Sequence, residues 1–413
     1  MRVLIVSYYF PPLGLAGTAR PVALANFFAS RGDEVFVVSV KPISYPAHDK
    51  VMESQIDPRV QVIRVGSTDP ARIQHFMPMF SLKKLLGGKT KSAIASSMFP
   101  DSKIGFAPGA TKAVAKLIQP DTRTLLITTS PPISSHLVGL ECAEFEKVTW
   151  IADFRDIWSS LPFQSDNAES QNRAENLLEH IIGKAALVTA TSPNTTRFYA
   201  DKFSASAKSM FLPNGYSEAD FTATSPLESN IIGIYGTLNY LIGFDRVVQW
   251  LGDFARNESQ TNFSLRHIGH LDLPTLDDTL TAAGLTDRFH STGYLPHPEA
   301  VAAIRRTAVN IVALTQDHDT SFVVPSKLWE LLRAEPPLIA VLPKGNAARE
   351  ILKERQFPGV WIVDDSLQLT EALKSVFESP DRFRGLRNNG HYADFEWTAT
   401  FARLADRLKE IRA

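Results

Sequence analysis

Three stretches of this chain concentrate residues able to grip an anion or move a proton. The first is Pro325-Ser326-Lys327-Leu328-Trp329-Glu330. Ser326 stands where a helix N-cap is expected, and the spacing predicts a helix over 326–335 that stops at Pro336-Pro337. A helix start made by Ser326, Lys327 and Leu328 suits a phosphate, because free N–H groups and the positive dipole end face it. Glu330, one turn further in, can accept hydrogen bonds from ribose hydroxyls. The plainer alternative is a capped surface helix with a solvated lysine and a solvated glutamate.

The second stretch is Ile151-Ala152-Asp153-Phe154-Arg155-Asp156, at the carboxyl end of an expected strand. A continuing strand would put Asp153 and Arg155 on one side and Asp156 on the other. A turn near Phe154 instead frees Asp156 to orient an acceptor hydroxyl and take its proton. A structural Asp–Arg pair is the alternative. The third stretch is the loop from Tyr8 to Arg20, where Gly14 and Gly17 let the backbone approach a ligand closely. It lacks the dinucleotide fingerprint G-x-G-x-x-G, which counts against a simple NAD enzyme.

Smaller signals fall at other strand ends. His136 opens a helix after Thr128-Thr129-Ser130-Pro131-Pro132 and is read equally as an anion contact or as a satisfied helix-start histidine. Gly236-Thr237 ends the strand Ile231–Tyr235, where backbone N–H groups can reach a pyrophosphate. Gly293-Tyr294 follows Phe289 to Thr292, a place where backbone groups can hold a nucleobase.

The elements that must position these residues read as two α/β series. Strands at 3–7, 34–40, 125–128, 148–152 and 187–191 alternate with helices, the mark of parallel βαβ units. Composition turns polar over 216–229, and a second series follows, with strands near 231–235, 265–268, 309–313, 338–342 and 360–363. Helices are expected near 243–256, 297–306, 326–335 and 366–378. Two doubly wound domains are therefore expected, 1–215 and 216–390, with ligands beyond the carboxyl ends of their strands and in a cleft between them.

Bulk properties narrow the function. The 413 residues exceed one ordinary core. A net charge of −1 gives no global case for nucleic acid. A single cysteine, Cys142, excludes an internal disulfide and a thiolate metal cluster and fits a reducing cytoplasm. No stretch approaches the ~20 apolar residues of a membrane span. The segment 72–91 mixes Arg72, Lys83, Lys84, Lys89 and Lys91 with apolar residues, a composition able to lie at an anionic lipid surface; a basic loop with a partly buried apolar side is the alternative.

Taken together, the motifs resemble the retaining glycosyltransferases of family 4, which have the GT-B fold of two facing Rossmann-like domains. The resemblance rests on the loop from Tyr9 to Arg20, on Thr128 to His136 and Ile151 to Trp158, and on Leu212 to Phe221. In the second half it rests on Ile234 to Leu238, Ser291 to Leu295 and Val324 to Val341. It implies sugar transfer from a nucleoside diphosphate sugar to a glycan or lipid-linked acceptor, with retained configuration, no metal and no cofactor. It also implies a helix over 391–413 that returns to the N-terminal domain. Glu330 resembles the ribose-binding glutamate, Lys327 the diphosphate contact, and Gly14 and Gly17 the loop beside the reacting sugar. Two departures stand out. Phe322 occupies the place of a paired glutamate, and Thr237-Leu238-Asn239 replace an arginine and a lysine that many members carry after the glycine. Lys327, Arg266 or another cation must then compensate. A nucleotide-sugar epimerase and a non-catalytic GT-B partner subunit are the rival readings.

Overall fold

The computed structural model describes residues 1–14, 17–45, 47–69, 72, 98–158, 168–222, 225–383, 386 and 390–412. The chain forms two compact units, Met1–Pro213 with Phe401–Ala413, and Asn214–Thr400. Each is an α/β unit around one parallel sheet.

The first unit has seven parallel strands: β1 Arg2–Ser7, β2 Glu34–Val40, β3 Gln61–Val65, β4 Thr124–Ser130, β5 Val148–Phe154, β6 Leu187–Ala190 and β7 Ser209–Phe211. Their order is β3-β2-β1-β4-β5-β6-β7. All six residues of β1 and all seven of β4 are buried. Strands buried along their whole length are central parallel strands covered on both faces. The order reverses between β1 and β4, and ligands of such sheets bind beyond the strand ends at that switch point. The helix Trp397–Arg412 closes the unit, with Phe401 against Phe27 at 5.8 Å between ring centres.

The second unit has six parallel strands: β8 Glu228–Tyr235, β9 Ser264–Ile268, β10 Phe289–Ser291, β11 Thr307–Ala313, β12 Leu338–Val341 and β13 Val360–Ile362. Their order is β10-β9-β8-β11-β12-β13, which puts the switch point between β8 and β11. Its core joins Ile232, Ile234, Val309, Ile311 and Ile339 of the sheet to Val248, Leu251 and Phe254 of the helix Phe244–Asn257.

Two expectations change. The edge strands β3 and β7 escape the sequence reading because they are short and only half-buried, so they lack a continuous apolar run. The helix expected over 326–335 is shorter, Leu328–Arg333. Ser326 and Lys327 form a turn, and the Leu328 N–H closes onto the Pro325 carbonyl at 2.9 Å. Ser326 is therefore not an N-cap. At the other end Ala334 is already extended, two residues before Pro336, whose ring disfavours helix in the residue preceding it. Among the described residues no helix is long and apolar enough to cross a membrane. Lys83, Lys84, Lys89 and Lys91 of the basic segment lie outside the described residues, while Arg72 donates to the Pro42 carbonyl at 2.8 Å.

Helix packing on the first sheet yields a paired test. Gly139, in the helix Ser134–Cys142, lies against the buried Trp150 indole of β5, and a Cβ there would overlap the ring. Gly183, in the helix Ala168–Lys184, has nothing within 4 Å of such a Cβ. Gly139→Ala is expected to lose about 1–3 kcal/mol or more by overpacking, and Gly183→Ala to gain about 0.4–1 kcal/mol. Chemical unfolding of the two variants beside the wild type measures both, and equal shifts would contradict this packing.

Candidate functional site

In the second unit the switch point between β8 and β11 lies at Gly236, directly after β8. Its φ of +99° lies in the region that favours glycine. A Cβ at this position would come within 2.9 Å of both Cδ and Nζ of Lys327. The lysine side chain thus lies across the Gly236 backbone, as a cation over a strand end. Burial pushes the Lys327 ammonium down to about 8. The charge is partly desolvated, and among the described residues no carboxylate pairs with it.

The Gly236 peptide is held by the neighbouring strand ends. Its N–H donates to the Ile268 carbonyl at 2.8 Å. Its carbonyl lies 2.8 Å from Nε2 of His267, whose Nδ1 lies 2.9 Å from the Ser291 hydroxyl. A carbonyl only accepts, so Nε2 carries the proton and Nδ1 accepts from Ser291. Burial lowers the His267 pKa and keeps the ring neutral. Ser291 Oγ in turn accepts the Gly293 N–H at 3.2 Å, and the Gly293 carbonyl accepts the Gly269 N–H at 3.0 Å. A continuous hydrogen-bond chain through the ends of β8, β9 and β10 therefore fixes the Gly236 carbonyl. A Cβ on Gly269 would run into that same carbonyl, which explains the second glycine.

Glu330 is three-quarters of a turn beyond Lys327 on its short helix. It accepts a hydrogen bond from the Tyr235 hydroxyl and lies 3.4 Å from Nε2 of His297. The same nitrogen is 3.2 Å from Asp220. Burial raises the Glu330 pKa, while His297 and Tyr235 oppose the rise. The loop leading into Lys327 is tied down by Asn346, which is fully buried. Its amide donates to the carbonyls of Thr320 at 2.5 Å and Val323 at 3.0 Å, and its oxygen caps the helix Ala347–Arg355. Phe322 lies within this pinned loop. Trp329 stacks on Phe395 at 4.0 Å and anchors the other side of the short helix.

Not every expected residue reaches this place. Arg266 is committed elsewhere, in a two-pronged pair with Glu228 at 2.9 and 2.6 Å. It is not the compensating cation. Leu328 is a core residue with no exposed surface, and its N–H is already taken by Pro325. Thr237, Gly293 and Tyr294 do stand at the strand ends, on β8 and β10. Tyr235, His297, Asp220 and Asn346 were missed. Each is a single polar residue in an ordinary strand or loop, without a motif around it.

In the first unit, β5 ends at Phe154 and the chain turns there. Asp153 faces inward with 4% side-chain exposure and meets Arg20, itself 3% exposed, in a bidentate pair at 3.0 and 2.7 Å. Thr129 and Thr189 donate to the same carboxylate at 2.8 and 2.7 Å. Burial alone would raise the Asp153 pKa, but Arg20 and the two hydroxyls hold it below the usual carboxylate range. Arg20 also donates to the Pro213 carbonyl at 2.7 Å. Both side chains are thus fully engaged in fixing the end of β5 and the start of the helix Ala19–Ser30. Arg155 donates to the carbonyls of Ser130 at 3.0 Å, Pro131 at 2.7 Å, and Gly17. It clamps the glycine loop to the end of β4, across the switch point. Gly17 has little spare room, since a Cβ would lie 3.2 Å from this guanidinium. Gly14 donates to the Ala47 carbonyl at 2.9 Å. Asp156 is exposed beyond the turn. His136 has no exposed surface; Nδ1 pairs with Thr128 at 2.7 Å, Nε2 has no partner, and burial drives its pKa to about 3. A buried neutral ring of this kind is a poor anion contact.

No family model matches the chain, and no curated protein matches it. Solved structures do. A sucrose-phosphate synthase from Thermosynechococcus elongatus superposes with a TM-score of 0.66 at 16% identity, covering 99% of this chain and 98% of the other. Staphylococcus aureus TarM, solved with fondaparinux, α-GlcNAc-glycerol and UDP, gives 0.66 at 9% identity over 100% of both chains. Anabaena Alr3699/HepE, solved with UDP and glucose, gives 0.64 at 13% identity over 98% of this chain and 99% of the other. The fold is GT-B. At these identities the likeness speaks for the GT-B architecture alone.

The Arg20–Asp153 pair generates a stability test. Arg20→Met leaves a buried carboxylate uncompensated and is expected to cost about 3–5 kcal/mol near pH 7. Asp153 is depressed in the folded state, so its contribution is full above the ordinary aspartate range and is lost as pH falls through the folded value. The difference between variant and wild type in urea unfolding should therefore shrink below about pH 4. A variant as stable as the wild type at pH 7 would contradict the pairing.

Proposed function

We propose that the protein is a glycosyltransferase that moves a sugar from a nucleoside diphosphate sugar to a glycan or lipid-linked acceptor. The observation that carries this reading is the Lys327 ammonium lying over the Gly236 backbone at the switch point of the second unit. A partly desolvated cation with no carboxylate partner among the described residues, beside a glycine-shaped strand end, fits a diphosphate. Glu330, oriented by Tyr235 and His297, fits the ribose diol one turn away. The GT-B fold and the UDP found in TarM and Alr3699/HepE support the same ligand class.

Family-4 membership, retention of configuration, the absence of a metal, and a role in surface polysaccharide assembly at the cytoplasmic face of the membrane belong to this proposal. In a retaining front-face displacement the leaving diphosphate takes the proton of the attacking hydroxyl. The protein then contributes position and charge rather than a covalent intermediate. Lys327 would stabilise the departing diphosphate. In the first unit, Arg155 and Gly17 shape the acceptor side, and Asp156 is the exposed carboxylate able to orient the acceptor hydroxyl. Asp153 and Arg20 act through position alone.

The non-catalytic partner reading draws on one observation. With Arg266 tied to Glu228, the expected basic pair has no replacement beyond Lys327 among the described residues. Failure of every nucleoside diphosphate to bind in calorimetry would favour that reading. An epimerase would instead convert a nucleotide sugar with no acceptor present, which NMR of the donor alone detects.

Two substitutions test the donor site. Lys327→Ala is expected to lower turnover about 100- to 1000-fold, the usual effect of removing one donor to a developing charge. Glu330→Gln is expected to weaken UDP binding about tenfold or more, because hydrogen bonds to a charged group contribute about 1.5–3 kcal/mol. Calorimetry with UDP and turnover on nucleotide sugars measure these, and wild-type values for both variants would overturn the assignment.

A further inference from the structure

The first unit carries an aromatic corner that the site described above does not use. Tyr9 follows β1, and Tyr45 lies in the segment after β2, so both stand at the carboxyl ends of adjacent strands. Their ring centres are 5.6 Å apart with planes inclined at 40°. Tyr8 backs Tyr9 edge-on at 4.9 Å and is itself fully buried, with its hydroxyl bonded to Asp69. Both Tyr9 and Tyr45 are half-buried. Among the described residues neither hydroxyl has a hydrogen-bond partner. The Tyr9 Cβ is 3.8 Å from where a Cβ on Gly17 would lie, so the corner borders the glycine loop.

The charges around this corner are spent. Arg155 gives its donors to the carbonyls of Gly17, Ser130 and Pro131. Arg64 donates to the carbonyls of Pro11 and Val40 and to the Ser39 hydroxyl. Lys103 pairs with Asp69 at 3.4 Å. Two partly exposed aromatic side chains, two phenols without a hydrogen-bond partner among the described residues and no uncommitted cation among these neighbours disfavour an anion. They suit a ring with C–H groups on its faces and hydroxyls on its rim. Aromatic rings pack on such faces, and phenols exchange hydrogen bonds with the rim.

We propose that Tyr9 and Tyr45 form the acceptor subsite and that the acceptor presents an uncharged sugar ring there. The proposal rests on the glycosyl-transfer reading and deepens it by naming the acceptor class. Arg155 is a positioning residue for this subsite, since it fixes the Gly17 carbonyl that borders Tyr9.

Saturation-transfer NMR on the full chain tests it, with methyl β-D-glucopyranoside, methyl β-D-galactopyranoside and methyl α-D-mannopyranoside as neutral probes and glycerol 3-phosphate as the anionic one. Saturation is expected to reach the ring protons of at least one methyl glycoside. Tyr45→Ala should weaken that binding about fivefold, the scale of one aromatic contact. Tyr45→Phe should keep most of it, which separates lost stacking from a damaged fold, and circular dichroism confirms that each variant is folded. Transfer to none of the methyl glycosides, transfer to glycerol 3-phosphate alone, or wild-type transfer in Tyr45→Ala would overturn the inference. UDP titrated into the same samples reads the donor site independently. Retained UDP binding with no glycoside binding removes only the acceptor inference, whereas absent UDP binding in the folded wild type removes the donor reading.

Discussion

The arrangement of the second unit depends on one constraint: the Lys327 side chain fills the space in which a side chain at residue 236 would otherwise lie. Gly236 leaves that space open, and its positive φ turns the backbone under Lys327. The Gly236 carbonyl accepts from His267, whose tautomer is set by the Ser291 hydroxyl that in turn accepts the Gly293 N–H. A cation placed against the backbone in this way loses hydration, and among the described residues it gains no counter-ion. That loss of hydration favours the neutral amine and lowers the lysine pKa. A diphosphate would restore what burial removed.

The first unit solves a different problem. Its switch point between β1 and β4 must hold a long loop near strand ends without regular structure. Two arginines do this. Arg20 is buried against Asp153 and fixes the start of a helix, and Arg155 spends its guanidinium on three backbone carbonyls. Buried charge of this kind adds little net stability over an apolar replacement, but breaking one partner is expensive. Its use here is geometric, because loops that carry function need a rigid support. The result is a glycine loop whose backbone is positioned from below, with Tyr9 and Asp156 left at the accessible side.

Much of the fold was legible in the residues. Central strands announce themselves by short apolar runs, Val3 to Val6 in β1 and Leu125 to Ile127 in β4, and the helix expected at 366–378 is found at Ser366–Glu378. The edge strands β3 and β7 were not legible, because half-buried strands of three to five residues share their composition with loops. The proline-opened segment at 325 was legible as a turn into a helix but not in its register, since Pro325 and Pro336 together shorten the helix to six residues. For the site, glycines and charged residues drew attention by type, yet type did not reveal commitment. Arg266 looked free and is held by Glu228, whereas Tyr235, His297 and Asn346 looked ordinary and hold Glu330 and its loop. Partners distant in sequence decide such roles, and a single chain does not display them.

The central claim is that the Lys327 ammonium meets the diphosphate, and the proton balance of binding tests it most directly. Above about pH 8 the free lysine is partly neutral, so binding an anion must recharge it. Calorimetry of UDP binding at pH 8.5, repeated in buffers of different ionisation enthalpy, should show net proton uptake of a fraction of one per site, and Lys327→Met should abolish it. Binding with no proton uptake in the wild type, or the same uptake in Lys327→Met, would contradict the account.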